Sequence, residues 1–347
     1  MTKSETLTAI FRCDAGPRLG GGHVIRCLTL AHALKQEGWN IRFAVSPQTL
    51  DIVPQLAQSD MTYVEVDKTP DAFMAPFQNG CHLAVIDHYE WNGEHHRRCK
   101  GWAQRILVID DMANRSYEAD FLLDQTIGRA PQEYIGKVPS ACRVMTGANY
   151  ALLRPEFAEN RQTAITYHTT PRDKRKILIS MGMMDADDLT STALRGLAQL
   201  TADIEVDVVL SKRAPNIDKV RSLSLPNHIR MTIHADGGDM AQLMSAADIS
   251  IGASGVTSLE RCSLGLPSVT VVLADNQARI AEEVAEAGAS INLGWHGDVT
   301  PGDIAEAVRR LMSDEPLYLH MVDKAAGLCD GTGTARTIQT ILSGFAQ

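Results

Sequence analysis

Residues 10–34 read IFRCDAGPRLGGGHVIRCLTLAHAL, and the order of parts in this stretch settles the fold class. An apolar strand, Leu7–Arg12, runs into a loop. Gly20, Gly21 and Gly22 follow one another, and His23 opens an amphipathic helix that continues to Gln36 and stops at Gly38. Glycines let a backbone approach a ligand closely and take positive φ. The N–H groups of a helix start are left without intrahelical partners and attract anions. Histidine titrates near neutrality, which suits it to general-base work. The expectation is an imidazole beside bare backbone donors, at a place suited to a phosphorylated ligand. Two other phosphate loops are excluded. No G-x-x-x-x-G-K-[ST] occurs, and the dinucleotide G-x-G-x-x-G fails because Ile25 takes the third glycine position. No acidic residue closes the second strand at Ala44-Val45-Ser46 to hold an adenosine ribose.

Working outward, strand-like apolar runs alternate with helical patterns. In the first half they are Ile41–Val45, Leu83–Ile86, Ile106–Ile109, Phe121–Leu123 and Arg143–Met145. Most are apolar on both faces, as buried parallel strands are. Polar residues gather at their C-terminal ends, the ligand-binding edge of an open α/β sheet. Residues 158–175 are polar without periodicity and read as an interdomain linker. A second alternation follows, with strands at Ile177–Ser180, Ile204–Leu210, Met231–Ile233, Ile249–Ile251, Val269–Leu273 and Ser290–Leu293. Helical patterns lie between these strands, and closing helices are expected at Asp303–Met312 and about 332–344. The expected organisation is therefore a first Rossmann-like domain over 1–157, a linker over 158–175 and a second such domain over 176–347, with the default ligand site between the two.

Composition narrows the functional classes. The chain has 347 residues, 44% apolar and 22% charged, with a net charge of -9. That is the make-up of a globular protein long enough for two cores, and it gives no reason to expect nucleic acid as a partner. No run reaches the roughly 18 apolar residues of a membrane span. The polar start, Met1 to Thr8, lacks the apolar region of a signal peptide. Seven scattered cysteines without a C-x-x-C pair read as reduced thiols. These readings together imply a cytoplasmic location.

Further candidate residues sit at strand ends. Arg12 and Asp14 flank the end of the first strand, and Arg26 lies three residues after His23; Asp14 and Arg26 read either as a pair bracing the loop or as ligand contacts. Asp87-His88-Tyr89 closes a buried strand. Tyr89 offers a hydroxyl to a sugar or a water, while Asp87 reads equally as a cap for the next helix. Gly252-Ala253-Ser254-Gly255 repeats the strand–glycine loop–helix arrangement in the second half, with Glu260 further along the helix and suited to a ribose diol. The serine is one position out of place for a hydrolase elbow, G-x-S-x-G. Asn276 and Gln277 follow another strand. Glu94-His95-His96 with Cys99 lacks a full zinc set and reads as an exposed helix. Asp185-Ala186-Asp187 reads as a helix start in preference to a metal motif. No metal or cofactor is implied.

The Arg12–Ala31 segment has the form R-C-D-A-x-x-x-x-G-x-G-H-x-x-R-C-L-x-L-A. It resembles the UDP-sugar hydrolases of pseudaminic acid biosynthesis, which act on UDP-2,4-diacetamido-2,4,6-trideoxy-β-L-altropyranose. The resemblance continues through Asp87-x-Tyr89, Asp110-Asp111, Tyr150-Ala-Leu-Leu-Arg154-x-Glu156-Phe157, Gly252-x-Ser254-Gly255 with Glu260, and Asn276-Gln277. The C-terminal motifs are shared with GT-B glycosyltransferases generally. The resemblance implies an α/β GT-B architecture and metal-independent hydrolysis of the sugar C1–oxygen bond with inversion. His23 would be the catalytic base, with Tyr89 and Asp14 beside it. Substrate or nucleotide contacts would fall on Gly20, Gly21, Gly22, Arg26, Gly182, Ser254, Gly255, Glu260, Asn276 and Gln277. One loop departs from the pattern: Ser180-Met181-Gly182-Met183-Met184-Asp185-Ala186-Asp187-Asp188 stands where similar proteins carry S-F-G-G-x-D-x-x-N. Met183 in place of glycine would crowd the backbone, and Asp188 in place of asparagine would repel phosphate. The alternatives are a GT-B glycosyltransferase using a UDP-sugar donor and a non-catalytic nucleotide-sugar-binding protein.

Overall fold

A computed structural model describes residues 6–16, 19–235 and 238–346. The strands in chain order are β1 (Thr8–Cys13), β2 (Asn40–Val45), β3 (Thr62–Glu65), β4 (Cys81–Asp87), β5 (Ala103–Ile109), β6 (Phe121–Asp124), β7 (Arg143–Thr146), β8 (Lys176–Ser180), β9 (Ile204–Leu210), β10 (Ile229–Ala235), β11 (Ile249–Ala253), β12 (Ser268–Val272) and β13 (Ser290–Trp295). The early helices are α1 (Gly22–Gln36), α2 (Thr49–Ile52), α3 (Gln55–Gln58), α4 (Pro70–Met74), α5 (Gly93–Arg98) and α6 (Pro155–Thr169). The later ones are α7 (Leu189–Leu197), α8 (Ile217–Arg221), α9 (Met240–Ala246), α10 (Thr257–Ser263), α11 (Asp275–Glu286), α12 (Pro301–Ser313), α13 (Glu315–Leu328) and α14 (Gly333–Phe345).

The chain forms two units. Unit 1 is Met1–Leu153 together with Thr332–Gln347, and unit 2 is Arg154–Gly331. Unit 1 carries a seven-stranded sheet in the order β3-β2-β1-β4-β5-β6-β7, and unit 2 a six-stranded sheet in the order β10-β9-β8-β11-β12-β13. Every pairing is parallel. The central strands are buried along their whole length, as in Ile249–Ala253 and Ser268–Val272. In each sheet the chain reverses its direction of travel at one place, between β1 and β4 in unit 1 and between β8 and β11 in unit 2. Open α/β sheets gape at such points, just beyond the strand ends. Both glycine loops singled out in the sequence fall there.

Two elements differ from expectation. Residues 155–169, expected to end the first domain at 157 and begin an aperiodic linker at 158, are helix α6 of unit 2. Only Phe157, Ala164 and His168 of its fifteen residues are buried, so the apolar stripe is too sparse to read. The last helix, expected to close the second domain, belongs to unit 1 instead. It seats flush: a Cβ added at Gly333 would lie 2.3 Å from Ala151 N, and one at Gly344 2.4 Å from the Phe121 ring. Thr334 Oγ1 donates to the Leu153 carbonyl at 2.8 Å, and Arg143 Nη1 to Ser343 Oγ at 2.7 Å. Strand β3 went unread because three of its four residues are exposed at the sheet edge.

Candidate active site

In unit 1 the register places Cys13 of β1 opposite Asp87 of β4. Asp87 thus ends its strand beside the start of the glycine loop, and α1 brings His23 and Arg26 over it on one helix face, three residues apart. His23 Nδ1 lies 2.6 Å from Asp87 Oδ1. Arg26 grips the same carboxylate with two nitrogens, Nε to Oδ2 and Nη2 to Oδ1, both at 2.6 Å. The Cys27 thiol donates to Oδ2 at 3.7 Å. Arg26 Nη2 also approaches His23 Nδ1 at 3.0 Å. Both are donors when Nδ1 holds a proton for Asp87, so that approach is the third side of a triangle around one oxygen. The carboxylate can only accept, which assigns the proton to Nδ1 and leaves the Nε2 lone pair unused by Asp87. Burial alone would push the Asp87 carboxyl up, but the Arg26 charge, then His23, hold it well below the usual range.

Tyr89 stands edge-on to the imidazole, with ring centroids 4.6 Å apart at 89°. Its hydroxyl donates to Asp111 Oδ2 at 2.9 Å, and Arg26 Nη1 reaches the same oxygen at 3.3 Å. Burial pushes the Tyr89 hydroxyl far above its ordinary value, reinforced by the Asp111 charge. It is therefore a neutral donor. Asp14 is held differently. Arg12, itself wholly buried, clasps it with Nη1 to Oδ1 at 2.6 Å and Nη2 to Oδ2 at 2.9 Å. The Ser46 N–H adds a bond at 2.6 Å, and His88 Nε2 lies 3.3 Å away. Burial would raise its carboxyl; the bonds from His88 and Arg12, the Arg12 charge and the Ser46 N–H hold it well below the usual range.

These residues border a cavity of about 870 Å³ within unit 1. Its walls include Asp14, His23, Asp87 and Tyr89, with Leu19, Pro47 and Val66 supplying apolar surface and Gln48, Asp67, Lys68 and Glu90 polar surface. That size is ample for a sugar.

The glycine loop itself is more self-contained than expected. Gly16 and Gly20 exchange backbone bonds, Gly20 N to Gly16 O at 2.8 Å and Gly16 N to Gly20 O at 3.3 Å, so the Gly20 N–H is not bare. Gly20 takes φ 74°, which closes that bridge and which a side chain would resist. Gly21 is the N-cap of α1, Gly22 its first residue, and no side chain caps this start.

In unit 2 the register pairs Gly252 of β11 with Ser180 of β8. The Ser254-Gly255 turn leaves the sheet at that point and leads into α10, which carries Glu260. Glu260 is buried, 3.7 Å from Arg154 Nη2, and burial raises its carboxyl. Gln277 sits in the first turn of α11 and accepts from the Leu273 N–H at 3.1 Å; its Nε2 lies 3.7 Å from where a Gly255 Cβ would be. Asn276 is its neighbour in the same turn.

His23, Tyr89 and Asp14 thus line one cavity, with Arg26 holding Asp87 of its wall, and Ser254, Gly255 and Gln277 come together around one turn of unit 2. Three readings need correction. Asp14 does not pair with Arg26; it pairs with Arg12, because residues two apart on a strand share a face. Asp87 does not cap the next helix, which Asn92 caps, but orients His23. The helix start read at Asp185-Ala186-Asp187 falls later, and Gly182, at φ 91° with open space around it, lies in the loop before it. Helix α7 starts at Leu189, and Asp185 occupies its first donors, the Leu189 and Thr190 N–H groups, each at 2.9 Å. Asp188 ion-pairs with Lys219 and takes φ 58°, a left-handed conformation that Asp and Asn both tolerate. Also against expectation, α5 is not simply exposed: His96 is buried and stacks on Tyr117. Asp111 was legible only as part of a motif. Its role depends on where β5 ends relative to β4, which a single sequence does not carry.

Two tandem units, each a wholly parallel Rossmann-like sheet, define the GT-B fold, and solved structures agree. The chain is similar to MurG of Acinetobacter baumannii with a TM-score of 0.70 at 17% identity, covering 97% of this chain and 99% of that one. Residues 176–335 match the model of the glycosyltransferase family 28 C-terminal domain. Over longer spans the chain is similar to two named proteins. One is the spore coat polysaccharide biosynthesis protein SpsG of Bacillus subtilis, 23% identical over 93% of this chain and 94% of that one. The other is the UDP-2,4-diacetamido-2,4,6-trideoxy-beta-L-altropyranose hydrolase of Campylobacter jejuni, 25% identical over 81% of this chain and 97% of that one. No helix among the described residues is long and apolar enough to cross a membrane.

Proposed function

We propose that this protein is a nucleotide-sugar hydrolase that releases UDP from a UDP-activated diacetamido-trideoxy sugar, with His23 as the general base. The observation that carries the reading is the His23–Asp87 pair at 2.6 Å on the wall of the cavity. Asp87 holds the proton of Nδ1, so Nε2 is available to take a proton from water. The water oxygen forms a bond to C1 as the bond from C1 to the diphosphate oxygen breaks, and UDP departs with that electron pair. Attack from the face opposite UDP inverts C1. UDP is a good leaving group, so a base and an orienting carboxylate suffice for the proton transfers. As the imidazolium forms, Asp87 stabilises it, the role a buried carboxylate plays behind a catalytic histidine. Tyr89, neutral beside the ring, gives its one O–H to Asp111 and offers its oxygen as an acceptor to a water or a sugar hydroxyl.

Unit 2 supplies the nucleotide contacts in this reading: the Ser254-Gly255 turn for the diphosphate, Glu260 for the ribose, and Asn276 for the uridine portion. The hydrolase similarity at 25% identity supports the substrate class. Because the family 28 match favours a second reading, a glycosyltransferase with the same donor, the test separates the two. Purified protein is incubated with UDP-sugars without acceptor, and free UDP and the anomer released are followed by NMR. Rapid UDP release that His23→Ala lowers by about 10²–10⁴-fold, with UDP affinity kept, supports the hydrolase. Release only on addition of a sugar acceptor supports the transferase. Near-normal turnover by His23→Ala removes His23 from the role.

A further inference from the structure

We infer that Arg261 is a buried, unpaired positive charge that shapes the Gly252–Gly255 turn from behind and draws the diphosphate of the nucleotide to it. The inference rests on the nucleotide reading above and deepens it by naming a positioning residue for the anion. Arg261 lies on α10 and is 1% exposed. Among the described residues no carboxylate forms an ion pair with it. Nη2 donates to the Ala253 carbonyl and to Ser258 Oγ, each at 2.8 Å. Nε and Nη1 are buried without a partner. The turn in front holds a second orphan, the fully buried Ser254 Oγ.

Gly252 shows how closely the guanidinium is fitted. A Cβ there would stand 2.7 Å from Arg261 Nη1 and 2.7 Å from the Ser180 carbonyl. Glycine at 252 is therefore the condition for a guanidinium to lie behind the strand end, independently of its φ. Burial pushes the group down to about 10, so it remains a cation at neutral pH. A buried cation without a counter-charge is costly, and low local dielectric lengthens its reach. An anion arriving at the turn supplies the missing counter-charge. Glu260, its sequence neighbour, acts on it through space without an ion pair and is shared with Arg154, 3.7 Å away. The guanidinium does not touch the ligand in this account; it acts through the Ala253 carbonyl it holds and through its field.

The test uses the full chain and titrates UDP and uridine calorimetrically into wild type, Arg261→Gln and Arg261→Lys. Wild type is expected to prefer UDP. Arg261→Gln should cut that preference about tenfold or more while uridine affinity stays within about twofold, as loss of a charge demands. Arg261→Lys keeps the charge and should keep the preference within about threefold. A merely structural role would weaken both ligands alike in Arg261→Gln, and that outcome overturns the inference, as does an unchanged preference. If Arg261→Gln does not fold, the Lys variant decides: loss of the UDP preference with the charge retained overturns the inference. A wild type that does not distinguish UDP from uridine overturns the nucleotide reading and this inference with it, whereas a wild-type preference surviving Arg261→Gln overturns only the role of Arg261.

Discussion

The Asp87 carboxylate binds two nitrogens of Arg26 and one of His23, and this sharing decides what the imidazole can do. Asp87→Asn offers an amide of similar shape without the charge that fixes Nδ1–H. Turnover should fall about 10²–10⁴-fold, with UDP affinity within about twofold, because the wrong tautomer presents a donor to the water. Initial rates and calorimetry on the same preparation check both. Acid response has a definite sign. Asp87 is held below its unfolded value of about 3.9, so its contribution to stability is complete above about pH 5 and drains away as pH falls below about 4. Asp124, Asp185 and Glu260 are raised by burial and act in the opposite sense, so the total is a sum of both signs. The difference between wild type and Asp87→Asn isolates the Asp87 part. Urea titrations at pH 5 and 3.5, both below the range in which a histidine ordinarily titrates, should show it smaller at the lower pH; an equal difference at both would count against the pairing.

At the scale of elements, α7 shows how a helix start is used internally. Asp185 turns its carboxylate onto the Leu189 and Thr190 donors, which removes them as a phosphate site. Asp185→Ala should destabilise the protein by about 0.5–2 kcal/mol, the usual cost of losing a cap, and leave UDP affinity unchanged. Chemical denaturation with a parallel UDP titration checks this, and a large loss of affinity would restore that loop to the ligand. By contrast, no side chain caps the start of α1. The two glycine loops were legible because glycine, strand and helix occur in an order that few other structures require. Helix α6 was not legible, because its polarity hid the three buried positions that seat it.

For the whole molecule the return of the chain into unit 1 matters most. Gly333 packs on Ala151 so closely that Gly333→Ala should cost about 1–3 kcal/mol by overpacking. Hydrogen exchange should then quicken chiefly within residues 6–153 and 333–346; equal quickening in 154–331 would contradict the division into units.

Every strand but the exposed edge strand β3, the parallel class and both glycine turns were written in local pattern, because apolar runs and glycine conformations are properties of neighbouring residues. Pairing was not. Which arginine meets which aspartate, that Asp87 stands behind His23, that the Arg261 guanidinium lies behind Gly252, and that the final helix returns to the first unit all depend on strand order and register. Those bring together residues 64 apart, as His23 and Asp87 are, or 200 apart, as Arg143 and Ser343 are. No local preference encodes such meetings; only closing the sheet, which fixes strand order and register, selects them.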